Sequence, residues 1–375
     1  MSNNSYASLP RREFVKKAAL GGAGFGVLSS GFTGNQVNGD DTWTFVHLTD
    51  MHVRRKRNGH IGYAQCIEHV NSLDPQPQLA LMGGDGPFDG LYTEKDEFDD
   101  QIALYKNISD RLDCPYYHCI GNHDVLGYSE RRKVPIDDPD IGKKMIMDRL
   151  GMDRSYYSFD HNGWHFVVLD SIYPVQVAHG PSYVPRLGEE QLTWLRHDLG
   201  ANHGKPTVAV IHIAAFCNVG QIEGDTTMPS MHSRVIQDGR ELREILERHG
   251  VKAVLQGHMH MVEDYFYNGV WYVTSQSVSA AWWGGNWRGF RPCYTVFTVR
   301  GDELTWEREE FAWEHHLEPE DDLERQRIRE REAFEGEQQR LRDEEIGVHS
   351  AEFDLEKNAE RGHADRRAPN LTSRP

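Results

Sequence analysis

From about residue 42 onward, short apolar runs alternate with longer amphipathic stretches. The runs WTFVHL (43–48), QLALMG (78–83), PYYHCI (115–120), WHFVVL (164–169), TVAVIH (207–212), VKAVLQ (251–256), VWYVTS (270–275) and YTVFTV (294–299) have the length of strands and favour β-branched and aromatic residues. The stretches IGYAQCIEHVNSL, GEEQLTWLRHDL and GRELREILERHG carry helical spacing, and the last ends at Gly250, suited to a left-handed helix stop. This alternation predicts an α/β architecture with largely parallel central strands, whose functional groups collect at strand C-terminal ends. The later strands follow one another without helices, so part of the sheet is expected to be antiparallel.

Both flanks break the pattern. Arg11-Arg12-Glu13-Phe14-Val15-Lys16-Lys17 precedes AALGGAGFGVLSSGF, which is too short and too weakly apolar for a membrane span. Paired arginines before a hydrophilic residue, Phe and a basic residue resemble a twin-arginine export signal, with a disordered basic leader as the alternative. Residues 1–36 are accordingly read as signal and linker. The expected location is periplasmic or extracellular, reached through the twin-arginine machinery, with no integral membrane domain after signal removal. From residue 313 to 375 the chain is dense in charge, with a thin apolar stripe at Leu323, Ile328, Phe334 and Leu341. This suits a solvated amphipathic helix better than a coiled coil, followed by a disordered end.

Composition narrows the field. An apolar fraction of 38% supplies a core, and a net charge of -17 argues against a protein that grips nucleic acid over its surface. Cys66, Cys114, Cys119, Cys217 and Cys293 fit no zinc-ribbon spacing; Cys114 and Cys119 could pair, but buried free thiols are the preferred reading.

Ligand-type residues cluster where the strands stop. WTFVHL runs into Thr49-Asp50-Met51-His52, QLALMG into Gly84-Asp85, and PYYHCI into Gly121-Asn122-His123-Asp124. TVAVIH ends on His212, and VKAVLQ runs into Gly257-His258-Met259-His260. One such ending could simply cap a helix, but five in sequence point to a shared site. His47, His118 and His165 sit inside apolar strands and read as hydrogen-bonded core residues rather than ligands.

The order D-x-H, G-D, G-N-H-D, lone His, G-H-x-H resembles the calcineurin-like metallophosphoesterase family over roughly residues 42 to 300. The resemblance implies a four-layer α/β/β/α sandwich of two mixed sheets, with a catalytic domain spanning 42–312 and two bound metal ions. One ion would take Asp50, His52, Asp85 and His260; the other would take Asp85, Asn122, His212 and His258, with Asp85 bridging. Mixed imidazole and carboxylate donors suit divalent Mn, Fe or Zn. A shared carboxylate sets two ions about 3.5–4 Å apart, which would place a bridging hydroxide for in-line attack on phosphorus. Glycines at 84, 121 and 257 would let the backbone approach the ions. His123, beside the ligand Asn122, would face substrate as a hydrogen-bond or proton donor, with Asp124 orienting its ring. By the resemblance, Phe88 stands where purple acid phosphatases carry a ligating Tyr, which argues against an iron–tyrosinate site.

Arg54 and Arg55 follow the first motif and could contact a phosphate; a solvated loop is the equal alternative. In SAAWWGGNWRGFRPCY (279–294), Trp282, Trp283 and Arg288 could line the mouth, against ordinary packing at the sandwich edge. The expected function is hydrolysis of a small phosphorylated substrate, a diester in preference to a monoester, by a binuclear metal centre. The alternatives are a noncatalytic binding module on the same fold and a 5′-nucleotidase-like phosphomonoesterase.

Overall fold

The computed structural model describes residues 42–222 and 233–316. The export-signal residues, and all but the first four residues of the charged tail, lie outside them. In chain order the strands are β1 (Thr42–Leu48), β2 (Ala80–Met82), β3 (Tyr116–His118), β4 (Tyr157–His161), β5 (Trp164–Leu169), β6 (Ile172–Val177), β7 (Gly180–Pro185), β8 (Thr207–Ile211), β9 (Ala253–Gln256), β10 (Glu263–Tyr267), β11 (Val270–Thr274), β12 (Cys293–Arg300) and β13 (Glu303–Glu310). The helices are α1 (Gly59–Asn71), α2 (Lys95–Ser109), α3 (Lys144–Leu150), α4 (Glu189–Ala201), α5 (Val219–Ile222) and α6 (Gly239–Arg248).

Two mixed sheets form the centre. One runs β13-β12-β1-β2-β3 and the other β10-β11-β9-β8-β5-β4, while β6 and β7 pair apart as a hairpin. Within the first sheet β1, β2 and β3 are parallel, and β12 and β13 are antiparallel additions. In the second, β5, β8, β9 and β11 are parallel, flanked by antiparallel β4 and β10.

Strand periodicity explains the four layers, because alternate residues face opposite sides. Trp43 and Phe45 of β1 join Phe166, Val168, Val208, Val210 and Leu255 in the space between the sheets. There Phe45 stacks on Phe297 at 4.8 Å and meets Phe166 edge-on at 5.5 Å. The intervening Val46 and Leu48 face outward onto Tyr63, Ile67 and Val70 of α1 and onto Tyr105 and Ile108 of α2. On the far side, Val167, Leu169, Ala209, Ile211 and Val254 meet Leu192, Leu195 and Leu199 of α4 and Leu242, Ile245 and Leu246 of α6. Each of these helices buries positions three and four apart, the face a 3.6-residue period supplies.

All eight expected strands are present, as are the helices expected at 61–73, 188–199 and 239–250, while the helix expected in the charged tail lies outside the described residues. Gly250 takes the left-handed conformation, φ 65°, one residue after the C-cap of α6. All five cysteines are free, so Cys114 and Cys119 are not paired. Among the described residues no helix is long and apolar enough to cross a membrane.

Candidate metal centre

The parallel strands of both sheets bring their C-terminal ends to one place. β1 delivers Asp50 and His52, β2 delivers Asp85, β3 delivers Asn122 and His123, β8 delivers His212, and β9 delivers His258 and His260. Two groups of ligand atoms result, each drawn together within 4.8 Å: Asp50, His52 and His260, and Asp85, His212 and His258. His258 and His260 therefore serve different groups, and Met259 between them is buried against Ala214, Cys217, Val219 and Met261. Asp85 lies between the groups, with Oδ2 3.1 Å from His212 Nε2 and 3.7 Å from His52 Nε2.

Three rings are aimed by their other nitrogen. Nδ1 of His52 is 3.0 Å from the Phe88 carbonyl, Nδ1 of His212 is 2.8 Å from the Gly83 carbonyl, and Nδ1 of His260 is 2.6 Å from the Ala280 carbonyl. Since a carbonyl only accepts, each Nδ1 carries a proton, and Nε2 is the nitrogen turned toward the neighbouring ligand-type groups. Nε2 of His52 and Nε2 of His260 face one another at 3.2 Å. Two unprotonated nitrogens that close repel unless a cation, a shared proton or a metal ion, lies between them. Burial reinforces this by lowering His52 and His258 to about 3, so both rings are neutral.

Orphaned polar atoms suit the same role. Asp50 Oδ1, Asn122 Oδ1 and His212 Nε2 are buried without a hydrogen-bond partner, a costly arrangement that metal coordination relieves. Burial opposes charge on His212, but the adjacent Asp85 carboxylate outweighs it and raises the ring to about 10. An ion would displace that proton. Asp50, His52, Asp85, His258 and His260 all have positive φ, between 43° and 69°. Such backbone costs about 1–3 kcal/mol per residue and persists where the surroundings enforce it, typically at functional sites.

The glycines allow close approach. A Cβ on Gly121 would fall 2.2 Å from Asp85 Oδ1, and one on Gly84, whose φ is 97°, 2.6 Å from His212 Nδ1.

Asp124 is corrected by the structure. Its carboxylate accepts the backbone N–H groups of Asp85 (2.9 Å), Gly86 (2.9 Å) and Gly121 (2.6 Å), and makes no bond to the His123 ring. Asp124 thus ties the second and third ligand loops together. The ring of His123 instead pairs with Asp89, Nδ1 to Oδ1 at 3.1 Å. Burial disfavours the charged imidazole, yet the Asp85 charge and the Asp89 hydrogen bond outweigh it and raise His123 to about 9. Dications bound nearby would draw that value down. Asp89 was missed in the sequence although it lies only four residues beyond Asp85, in a loop already marked by a ligand.

The remaining candidates divide. Arg54 lies with Cζ 3.7 Å over the Phe88 ring and donates to the Trp282 carbonyl, beside the His52 group. Arg55 does not: it is exposed and pairs with Asp100 of α2 at 3.0 and 3.1 Å. Trp282 packs its half-buried ring 4.5 Å from His260 and 5.7 Å from His52. Trp283 is a correction, because it is fully buried and donates its indole N–H to the carbonyls of Met51 and His52. Arg288 is exposed over Trp287. His47, His118 and His165 are buried and bonded, to Ser275, to Tyr105, and to Asp160 and Asp198 respectively.

Residues 44–262 match the calcineurin-like phosphoesterase family. The chain belongs to that family. This phosphoesterase is 26% identical over 251 residues, 62% of its own length and 78% of the relative's, to a protein of Arcobacter nitrofigilis named "Probable glycerophosphodiester phosphodiesterase GpdQ". It is 27% identical over 242 residues, 63% of its length and 66% of the relative's, to "Serine/threonine-protein phosphatase CPPED1" of Rattus norvegicus. A protein of Xenorhabdus bovienii named a probable cyclic nucleotide phosphodiesterase is 22% identical over 249 residues, 64% and 87% of the two chains. The chain is a metal-dependent phosphoesterase, and its two ligand groups accord with the two divalent ions that members of the family typically bind.

Proposed function

We propose that this phosphoesterase hydrolyses phosphodiesters at a two-ion centre. The observation that carries the reading is the pair of buried ligand groups with the Asp85 carboxylate between them. Asp50, His52, Asp85 and His260 hold one ion; Asp85, Asn122, His212 and His258 hold the other. The ions, Mn, Fe or Zn, supply Lewis acidity toward water and toward the phosphoryl oxygens.

Hydrolysis adds water across a P–O ester bond, and the departing ester oxygen needs a proton. His123 stands at the edge of the site, its ring 5.1 Å from that of His52. With Nδ1 engaged by Asp89, Nε2 is left to donate to a phosphoryl oxygen or to the leaving oxygen. Arg54 and Trp282 flank the His52 and His260 side, where they contact the second ester group of a diester. Two relatives named as phosphodiesterases support the diester preference. The paired arginines Arg11 and Arg12 support export by the twin-arginine route, with hydrolysis outside the cytoplasm.

The test is hydrolysis of bis-p-nitrophenyl phosphate and p-nitrophenyl phosphate by chain loaded with Mn²⁺, Zn²⁺ or Fe²⁺, beside chelated chain and Asp85→Asn. Faster turnover of the diester, lost on chelation and in the variant, is expected. Turnover of the monoester alone would make the protein a phosphatase, and no turnover of either with any ion would leave a binding module.

A further inference from the structure

Thr49 is fully buried behind the first ligand loop. Its hydroxyl lies 2.7 Å from Asp50 Oδ2 and 3.2 Å from the Gly83 carbonyl. A hydroxyl has one proton to give, and the shorter contact to a carboxylate takes it. The backbone N–H of His258 donates to the same oxygen at 3.0 Å. Both donors therefore fall on Oδ2, while Oδ1 has no hydrogen-bond partner and lies 3.2 Å from His260 Nε2. The carboxylate is divided into a held oxygen and a presented one.

The surrounding chain makes room for this hydroxyl. A Cβ at Gly257 would lie 2.1 Å from Thr49 Oγ1, and a Cβ at Gly83 2.7 Å from Thr49 Cβ. Neither glycine has a positive φ, so the close approach rather than the backbone conformation calls for glycine. The Asp50 backbone, at φ 55°, is fixed in turn by the Ser277 hydroxyl, which donates to its carbonyl at 2.8 Å.

We infer that Thr49 is a positioning residue for one ion only: its hydroxyl fixes Asp50 so that Oδ1 completes the Asp50–His52–His260 group. The inference rests on the reading of these groups as a metal centre. The Asp85–His212–His258 group contains no ligand bonded to Thr49. Its links to Thr49 are the Gly83 carbonyl, which accepts His212 Nδ1, and the backbone N–H of His258, which shares Asp50 Oδ2 with the Thr49 hydroxyl. Removing the hydroxyl takes the shorter of the two donors from Oδ2 and loosens the aim of Oδ1, while the His212 ring keeps its bond to the Gly83 carbonyl and the His258 side chain loses no partner.

The experiment is calorimetric titration of the metal-free full chain with Mn²⁺ or Zn²⁺, comparing wild type, Thr49→Val and Thr49→Ser. Wild type is expected to take two ions. Thr49→Val keeps its shape without the hydroxyl, and should bind one ion as wild type does and the other about 10–100-fold more weakly. Thr49→Ser, which restores the donor, should recover both. The inference is overturned if Thr49→Val binds both ions normally, if it weakens both sites together, or if Thr49→Ser is as impaired as Thr49→Val. A wild-type chain that took up neither ion would overturn the metal-centre reading, and this inference with it. The variant results bear on Thr49 alone.

Discussion

The ring of His123 is held by Asp89, Nδ1 to Oδ1 at 3.1 Å, and not by its chain neighbour Asp124. Asp89 is itself well placed to hold it, since its Oδ1 also accepts the Leu91 N–H and its backbone N–H donates to Gln101 of α2. Loss of the His123 ring removes a donor to substrate, and turnover of bis-p-nitrophenyl phosphate by His123→Ala should fall about 10²–10⁴-fold. Asp89→Asn should fall about 10–100-fold, because the ring is still present but poorly aimed. Both variants should keep two ions per chain by elemental analysis. Loss of ions from either one would mean the dyad belongs to metal binding.

Asp124→Ala should behave in the opposite way. Its carboxylate takes three buried N–H groups, those of Asp85, Gly86 and Gly121. Each one left unpaired costs about 1–3 kcal/mol, and one of them belongs to Asp85, which lies between the two groups. The expected result is a loss of metal content together with a lower urea midpoint. An Asp124→Ala protein that bound both ions at wild-type stability would contradict the role assigned to it here.

Trp282 and Trp283 are neighbours with different work. Trp283 is wedged against α1 so closely that a Cβ on Gly62 would lie 2.3 Å from its ring. Trp283→Ala should destabilise the fold by about 3–5 kcal/mol, and Gly62→Ala should also lower stability by overpacking. Trp282→Ala should leave the unfolding free energy within about 1 kcal/mol of wild type by urea denaturation and raise KM for the diester several-fold. Equal unfolding of the two tryptophan variants, or an unchanged KM in Trp282→Ala, would remove Trp282 from the substrate wall.

Four of the strands that lead into the candidate ligands, β1, β2, β8 and β9, were legible because they are buried on both faces and read as continuous apolar runs, and β3, a partly buried edge strand, was legible from its aromatic residues. Five strands were not. β13, ELTWEREE, buries only part of one face, so its charges mask the alternation that turns Leu304 and Trp306 toward the other sheet. β4, YSFDH, is a partly exposed edge strand, and β6 and β7 form a hairpin outside both sheets. α2 was obscured by four acidic residues in its first half, although Phe98, Ile102, Tyr105 and Ile108 repeat at helical spacing. At the site, the residue types that the structure draws into two groups could be read from strand endings. The partner of His123 could not, because adjacency along the chain favoured Asp124, whereas the fold turns that carboxylate back onto the backbone. Arg55 and Trp283 fail for the same reason: a loop residue next to a motif can face away from it.

His165 offers a test of the fold that is independent of the metal centre. Its buried side chain lies between Asp160 of β4, at 2.8 Å, and Asp198 of α4, at 2.7 Å. Lys205 in turn pairs with Asp160 at 2.6 Å, and the Ser158 hydroxyl donates to Asp198 at 2.7 Å. Burial opposes the charged ring, but the hydrogen bonds and charges of Asp198 and Asp160 outweigh it, so the pKa is raised. A histidine that binds its proton more tightly folded than unfolded contributes fully below its unfolded pKa of about 6.5. That contribution is lost as pH climbs through the folded value. His165→Gln should therefore be less stable than wild type by about 2 kcal/mol at about pH 6, and the gap should narrow as pH rises through the folded value. Urea denaturation of both proteins across that range measures it, and the difference between them removes pH effects arising elsewhere. A gap that stayed constant or widened with pH would mean that His165 is neutral in the folded chain.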